Sequence, residues 1–186
     1  MGKLIIFSAP SGSGKTTIVR RLMGEIEGLE FSVSATSRAP RGAEQHGRDY
    51  YFLSTEEFDR LVAEDSFVEW EEVYAGTKYG TLRSELERIW AKEHTILFDV
   101  DVKGGVRLKE IFGDKALSIF IMPPSVEELR RRLEGRATDS PEKIAQRVAK
   151  ADEELGYAPR FDVTVVNDNL DEAVAQVRKA VEEFIA

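Results

Sequence analysis

The sequence predicts an α/β fold: a parallel sheet core with helices on both faces, an inserted lobe and a helical lid. Two observations lead to this prediction. A glycine-rich turn joins an apolar run to a helical pattern near the amino terminus, and short runs of Ile, Val, Leu and Phe recur further along the chain, separated by helical patterns. Strands that alternate with helices are typical of a parallel sheet that is covered on both faces.

Four segments have the composition of buried strands, because each is short, rich in large apolar residues, and followed by a loop or a helical pattern. These segments are Leu4–Ser8, Thr95–Val100, Leu117–Met122 and Val163–Val166. A final helix is predicted from Asp171 to Ile185, since apolar residues recur there at the spacing of one helical face.

Two long segments separate the predicted core strands. The first of them contains its own short strand candidates, Tyr50–Leu53 and Phe67–Trp70. We therefore predict a single domain over residues 1–186, divided into three parts. These are a core (1–33, 91–124 and 156–186), an inserted lobe (34–90) and a lid (125–155).

Helix-start signals occur in both insertions. Ser54 followed by Glu57, and Ser125 followed by Glu128, are capping-box patterns in which the serine side chain caps the first turn. Pro141 stands at a favoured first-turn position, so a second lid helix is expected to begin there. The lid is thus predicted to be two helices joined by a turn.

Composition and charge exclude several classes of protein. The net charge of −8 argues against a nucleic-acid-binding protein, which needs a basic face. There is no cysteine and there are only two histidines, His46 and His94, so disulfides, thiolate metal sites and histidine-based zinc or triad chemistry are not expected. Neither a membrane-spanning apolar run nor a secretory leader is visible. We expect a cytoplasmic protein without a membrane partner.

The turn from Ala9 to Thr16 predicts a phosphate-binding loop, or P-loop. Gly12 and Gly14 let the backbone curl so that successive N–H groups meet one anion, and the positive end of the following helix adds to the field. Lys15 can reach terminal phosphates, and the Thr16 hydroxyl can bind Mg²⁺. A tight turn without ligand is the alternative, which the correct flanks disfavour. The predicted nucleoside triphosphate site comprises Ala9, Pro10, Ser11, Gly12, Ser13, Gly14, Lys15, Thr16 and Thr17.

Further motifs follow the P-loop in order, at residues 31–41, 47–52, 67–70, 79–81 and 99–104. Together they resemble the guanylate kinase family over nearly the whole chain. The resemblance implies ATP- and Mg²⁺-dependent phosphorylation of GMP to GDP, with dGMP as a second acceptor, in purine nucleotide metabolism. It also implies a core, a nucleotide-monophosphate lobe and a lid that close together.

The resemblance assigns the GMP phosphate to Arg38 and Arg41, joined by Tyr50 and Tyr79. The planar guanidinium suits a phosphate dianion, and Pro40 stiffens the loop that carries both arginines. Outside this motif order, a solvated arginine loop beside packed tyrosines would be the simpler interpretation.

The resemblance also assigns the guanine base. Glu69 matches the position that accepts the N1–H and 2-amino donors, while Ser34 and Thr81 match positions that meet O6. Asp101 matches a further acidic position beside the base. Adenine would leave Glu69 with too few donors, which disfavours adenine as the acceptor base. A surface glutamate on an edge strand is the alternative, and its apolar neighbours weaken it.

Phosphoryl transfer requires positioning and charge stabilisation more than a strong general base. The resemblance implies that Lys15 supplies this charge together with arginines of the lid. These arginines are Arg132, Arg136 and Arg147. Asn167 and Asp168 match a contact on the adenine side of ATP.

Three positions depart from the family pattern: Ala9 replaces the first loop glycine, Lys103 stands where glutamine is common, and Ala137 where glycine is usual. None of them removes a group that catalysis requires. Two alternatives stay open, a catalytically inactive guanylate-kinase-like protein-binding module and a related small-molecule kinase with another acceptor. The intact Gly-Lys-Thr of the P-loop disfavours the first, and Glu69 disfavours the second.

Overall fold

The computed structural model describes residues 2–74, 76–135 and 140–186. None of the helices in these ranges is long and apolar enough to cross a membrane. The described residues form nine strands and seven α-helices. In chain order these elements are β1 (Leu4–Ser8), α1 (Lys15–Glu25), β2 (Leu29–Phe31), β3 (Ala35–Thr36), β4 (Tyr51–Phe52), α2 (Thr55–Ala63), β5 (Phe67–Tyr74), β6 (Thr77–Leu82), α3 (Arg83–Trp90), β7 (Thr95–Asp99), α4 (Val102–Phe112), β8 (Ala116–Met122), α5 (Val126–Glu134), α6 (Pro141–Leu155), β9 (Val163–Val166) and α7 (Leu170–Ile185).

The chain divides into two compact units. One, the insertion unit, comprises residues 1–2 and 30–96, and the other, the core unit, comprises residues 3–29 and 97–186. Each unit carries its own set of candidate functional residues.

The larger sheet has five strands in the order β2-β7-β1-β8-β9. β1 runs parallel to β8, from the pair Leu4–Ala116 to the pair Ser8–Phe120, and β8 runs parallel to β9. The carboxyl ends of β1 and β9 therefore lie at the same edge. The P-loop leaves β1 there and Asn167 follows β9. Ligands of open parallel sheets bind at this edge.

The core unit buries long apolar runs. All five residues of β1 are buried, and so are the first six of β8. Phe120 packs against Phe161 with ring centroids 5.3 Å apart, in a cluster with Val102, Val106 and Ala158. Strands that are covered on both faces carry such unbroken apolar runs, which is why they could be predicted from composition.

The structure confirms the predicted α/β class and its main elements. The four predicted core strands are β1, β7, β8 and β9, and the predicted last helix is α7, with ends that differ by at most one residue. Ser54 Oγ accepts the Glu57 N–H at 3.0 Å, and Ser125 Oγ accepts the Glu128 N–H at 3.0 Å, so both predicted caps are confirmed. Helix α6 begins at Pro141, as predicted.

The insertion unit contains a four-stranded sheet in the order β4-β3-β6-β5. β6 is antiparallel to both β3 and β5. Phe58 stacks on Phe67 with centroids 4.4 Å apart and forms a small core with Ala35. The predicted strand Tyr50–Leu53 contains β4, and the predicted strand Phe67–Trp70 is the first half of β5. The sequence analysis missed β3, because it is only two residues long, and β6, because Gly80 interrupts its apolar pattern.

A buried carboxylate anchors this unit. The Glu85 side chain is only 1% exposed, and it accepts the Val33 N–H and the Tyr51 hydroxyl, each at 2.8 Å. Arg88 donates to it from Nε and Nη2 at 2.9 Å. Burial alone would raise the pKa of Glu85, but these hydrogen bonds lower it below the ordinary value. Glu85 therefore ties α3 to the segments before β3 and at β4.

We expect Glu85→Ala to lower the free energy of unfolding by about 2–4 kcal/mol, because it leaves a buried N–H and a hydroxyl without their acceptor. Urea unfolding followed by circular dichroism measures the change. Glu87→Ala, an exposed glutamate of the same helix, is the control and should change stability by less than about 0.5 kcal/mol. Equal effects of the two replacements would contradict the anchoring role of Glu85.

Candidate functional site

The P-loop of the core unit has the backbone of an anion cradle. Gly12 and Gly14 have φ angles of +94° and +86°, values that favour glycine. Helix α1 begins directly afterwards, with no acidic residue in its first turn, so the positive end of its dipole is not offset there. Among the described residues other than glycine, only Asp65 and Glu93 have positive φ. Ala9 therefore does not have a positive φ, so its backbone conformation does not require the glycine of the family pattern.

A cleft of about 370 Å³ opens at the P-loop. Lys15 lines this cleft, and its ammonium forms an ion pair with Asp99 and lies 3.5 Å from the Val100 carbonyl oxygen. Asp101 caps α4 by accepting the Gly104 N–H at 2.7 Å. Burial raises the pKa of the Glu154 carboxyl. The cleft is lined by residues 9–17, 99–101 and 154. It therefore combines a cation and hydroxyls with several carboxylates.

Asn167 supports the P-loop from the end of β9. Its side chain is buried, and Nδ2 donates to the Ser13 carbonyl oxygen at 2.8 Å. Its backbone N–H donates to the Met122 carbonyl oxygen at 2.8 Å and continues the pairing of β8 with β9. A Cβ atom at Gly14 would lie 2.3 Å from Nδ2. Gly14 is thus required both by its φ angle and by the close approach of this amide. Asp168, beside it, is exposed.

Two of the predicted lid arginines make hydrogen bonds to the P-loop or to the end of β9 within the core unit. Arg132 Nε donates to Glu128 Oε1 at 2.8 Å, and its Nη2 donates to the Asn167 carbonyl oxygen at 3.0 Å. Arg147 Nη1 donates to Ser11 Oγ of the P-loop at 2.7 Å. Helices α5 and α6 pack through Leu129, Leu133, Ile144, Val148 and Ala151.

Arg136 and Ala137 lie outside the described residues. Lys103, the third departure, has its ammonium 3.8 Å from Glu153 on the surface.

The insertion unit brings a second set of predicted residues together. Arg38 donates from Nε to the Tyr79 hydroxyl at 3.1 Å, and its guanidinium lies 4.9 Å from the centre of the Tyr50 ring. The rings of Tyr50 and Tyr79 meet edge to face at 5.9 Å. Arg41 is exposed nearby in sequence, and its backbone N–H donates to Glu44. Burial raises the pKa of the Tyr50 hydroxyl, which therefore stays a neutral donor.

Glu69 and Thr81 form the second feature of this unit. They face each other across the antiparallel pair of β5 and β6. Thr81 is 1% exposed and donates from Oγ1 to Glu69 Oε1 at 2.8 Å. An ionised carboxylate has two acceptor oxygens, and this hydrogen bond from Thr81 engages one of them. Ser34 lies just before β3, and its carbonyl oxygen accepts the Tyr51 N–H at 2.9 Å.

Sequence reasoning missed three carboxylates of these sites. Asp99 pairs with Lys15, Glu154 lines the P-loop cleft, and Glu44 pairs with Arg38. For Asp99 a signal was present, because an acidic residue at the carboxyl end of a core strand points to the ligand-binding edge of the sheet. Nothing local distinguishes Glu154 from the exposed glutamates of α6. Glu44 sits in a polar loop, where an ion pair to a nearby arginine has no sequence signature.

Comparison with known proteins identifies similar chains over the full length. A family model described as guanylate kinase matches residues 1–184. A guanylate kinase of Porphyromonas gingivalis is 59% identical, with all of both chains aligned. One from Chlorobaculum tepidum is 48% identical over 99% of this chain and 94% of its own. The crystal structure of guanylate kinase from Anaplasma phagocytophilum superimposes with a TM-score of 0.74 at 32% identity, covering 98% of this chain and 85% of that one.

Replacing Gly14 by alanine, which adds one methyl group, tests both the positive φ angle and the close approach of the Asn167 amide. We expect Gly14→Ala to lower the free energy of unfolding by about 2–4 kcal/mol and to abolish measurable ATP binding, since the loop must change shape. Gly24→Ala is the matched control: Gly24 is helical, and its added Cβ would meet nothing within 4 Å. It should raise stability by about 0.5–1 kcal/mol. Normal ATP affinity in Gly14→Ala, measured by calorimetry, would contradict this description of the P-loop.

Proposed function

The chain belongs to the guanylate kinase family, and from that premise we propose how its residues transfer the terminal phosphoryl group of ATP to GMP, or to dGMP. Two separate groups of anion-binding side chains carry the proposal. The core unit holds one around the P-loop and Lys15, and the insertion unit holds the other around Arg38 and Tyr79. One suits the donor triphosphate and the other the acceptor phosphate. We place the enzyme in the cytoplasm, with which a chain free of cysteine is compatible.

The donor phosphates bind in the P-loop. Its backbone N–H groups and the start of α1 meet the phosphate oxygens, and Lys15 adds a full positive charge. The Thr16 hydroxyl and the Asp99 carboxylate line the same cleft and are the hard oxygen ligands that Mg²⁺ prefers, so these residues fit that ion. When bound, Mg²⁺ neutralises charge on the triphosphate. Asn167 keeps the loop in shape through Ser13, and we assign Asp168 to the adenine side.

The acceptor phosphate binds in the insertion unit. Arg38 offers a planar set of N–H donors, Tyr50 and Tyr79 offer hydroxyls, and Arg41 adds a second positive charge. Arg38 is held on one side by the Tyr50 ring and on another by the Tyr79 hydroxyl, so little side-chain freedom is lost when phosphate binds.

The base is read by Glu69. Oε1 accepts the Thr81 hydroxyl, and we propose that in the complex the carboxylate accepts the N1–H and 2-amino donors of guanine. We propose that Ser34 and Thr81 meet O6, with the Thr81 hydroxyl turning its one proton from Glu69 to the base, and that Asp101 adds a further acceptor. Adenine presents an acceptor at N1 and lacks the 2-amino group. With adenine bound, the Glu69 carboxylate would lose its water contacts without gaining these two hydrogen bonds.

The transfer itself forms a bond between an oxygen of the GMP phosphate and the terminal phosphorus of ATP, and breaks the bond from that phosphorus to the oxygen that leaves on ADP. The transition state is loose and carries its charge on the equatorial oxygens, so no strong base is needed. Lys15 and the lid arginines stabilise this charge. The arginines are Arg132, Arg136 and Arg147.

A panel of acceptors tests the proposed base recognition. With ATP and Mg²⁺ in a coupled assay, kcat/KM for GMP should exceed that for AMP by roughly 10⁴-fold, because the half-buried Glu69 carboxylate, once covered by the base, needs both guanine donors. Glu69→Gln should lower kcat/KM for GMP by about 10²-fold while the KM for ATP stays within about twofold. Comparable turnover of AMP and GMP by the wild-type protein would refute the assignment of Glu69.

Replacement of Lys15 tests the donor site. We expect Lys15→Met to lower kcat by about 10²–10³-fold, since it removes the charge that faces the terminal phosphates. Lys179→Met is a control on the surface of α7, where the ammonium lies 3.8 Å from Glu183, and it should leave kcat unchanged. Activity in Lys15→Met close to that of the control would exclude the proposed role.

A further inference from the structure

The guanidinium of Arg38 is held on nearly all sides. Its side chain is 11% exposed, with Tyr50 on its face and Phe52 also within ring distance, at 5.6 Å. Nη1 donates to the Ala39 carbonyl oxygen at 3.0 Å, and Nε donates to the Tyr79 hydroxyl at 3.1 Å. These contacts hold the Arg38 guanidinium in one orientation toward a ligand.

The remaining partner of Arg38 is Glu44. Nη1 donates to Glu44 Oε2 at 2.6 Å, and Nη2 donates to Oε1 at 2.8 Å, so the carboxylate takes the far end of the guanidinium with both oxygens. Oε2 also accepts the backbone N–H of Arg41 at 2.8 Å, while the Glu44 N–H donates to the Arg41 carbonyl oxygen at 3.1 Å. Hydrogen bonds from Arg38 and from the Arg41 backbone hold the pKa of Glu44 at about 2. The carboxylate therefore stays charged at neutral pH.

The geometry of the guanidinium divides its N–H donors between an end and a side edge. Two parallel N–H groups on Nη1 and Nη2 form the end that Glu44 occupies. The side edge, formed by Nε–H and the second N–H of Nη2, faces the Tyr79 hydroxyl. This edge and that hydroxyl are the donors to which the proposed function assigns the GMP phosphate.

We propose that Glu44 is a positioning residue for the acceptor phosphate. By holding the end of the Arg38 guanidinium and the backbone of Arg41, it directs the side edge of Arg38 and the side chain of Arg41 toward one anion. This inference rests on the proposed function, since it needs Arg38 to bind the GMP phosphate.

The opposite role would be that of a competitor that occupies the phosphate site and must leave. The contacts favour positioning. Both oxygens of Glu44 are engaged at the far end of Arg38 and by the Arg41 N–H, whereas the Tyr79 hydroxyl is bonded to Nε on the other edge. The two roles predict opposite signs: loss of Glu44 weakens GMP binding if it positions Arg38, and strengthens it if it competes.

The test compares Glu44→Gln with Glu64→Gln, which removes a carboxylate from an exposed pair with Arg60 in the same unit. We expect Glu44→Gln to raise both the KM for GMP and its calorimetric Kd about tenfold, since Gln lacks the charge and the second acceptor. The values of kcat, the KM for ATP and the Ki of guanosine should stay within about twofold of wild type. Glu64→Gln should match wild type in all of them.

Three results would overturn the proposal: tighter GMP binding by Glu44→Gln, unchanged GMP binding, or an equal loss of affinity for guanosine, which lacks the phosphate. Arg38→Ala separates this inference from the proposed function. In that background Glu44→Gln should have less than about a threefold further effect, because only its action through the Arg41 backbone remains. If Arg38→Ala itself binds GMP like wild type, the proposed phosphate site fails, whatever Glu44→Gln shows.

Discussion

Three of the cations that we assign to phosphate binding are each paired with a carboxylate of their own unit. Lys15 is paired with Asp99, Arg38 with Glu44, and the lid residue Arg132 with Glu128. Long flexible side chains lose conformational freedom when they bind a ligand, and a partly buried cation without an anion is costly. Pairing with a protein carboxylate restricts the cationic side chain and balances its charge before the ligand binds, although the carboxylate also repels the phosphate. The pairing thus sets where each cation can point.

The fold places the carboxylates. Asp99 is the last residue of β7, and the P-loop leaves β1, the neighbouring strand in the sheet. Asn167 follows β9 and bonds to the P-loop backbone at Ser13, so the amide fixes the loop that carries Lys15. In the insertion unit, the pairing of β5 with β6 sets Glu69 opposite Thr81. Each site is therefore a consequence of strand order and register, with loops supplying the remaining donors.

Local patterns in the sequence predicted what local interactions determine. The core strands and the caps at Ser54 and Ser125 each depend on a few consecutive residues, and the structure confirms these elements. The support of the P-loop by Asn167 joins residues 154 positions apart, which no local pattern shows. The pair of Arg38 and Glu44 was also missed, because loop geometry and not spacing brings them together. The sequence named candidate ligand-binding groups, and the structure adds what holds them.

We propose above all that donor and acceptor phosphates are bound by two separate groups of cations. Calorimetric titration of ATP and of GMP into Lys15→Met and Arg38→Ala tests it most directly. Lys15→Met should weaken ATP at least about tenfold and leave the Kd for GMP within about twofold, and Arg38→Ala should do the reverse. The proposal of two separate phosphate sites, centred on Lys15 and Arg38, would be contradicted if either replacement weakened the binding of ATP and of GMP equally, or weakened the binding of neither.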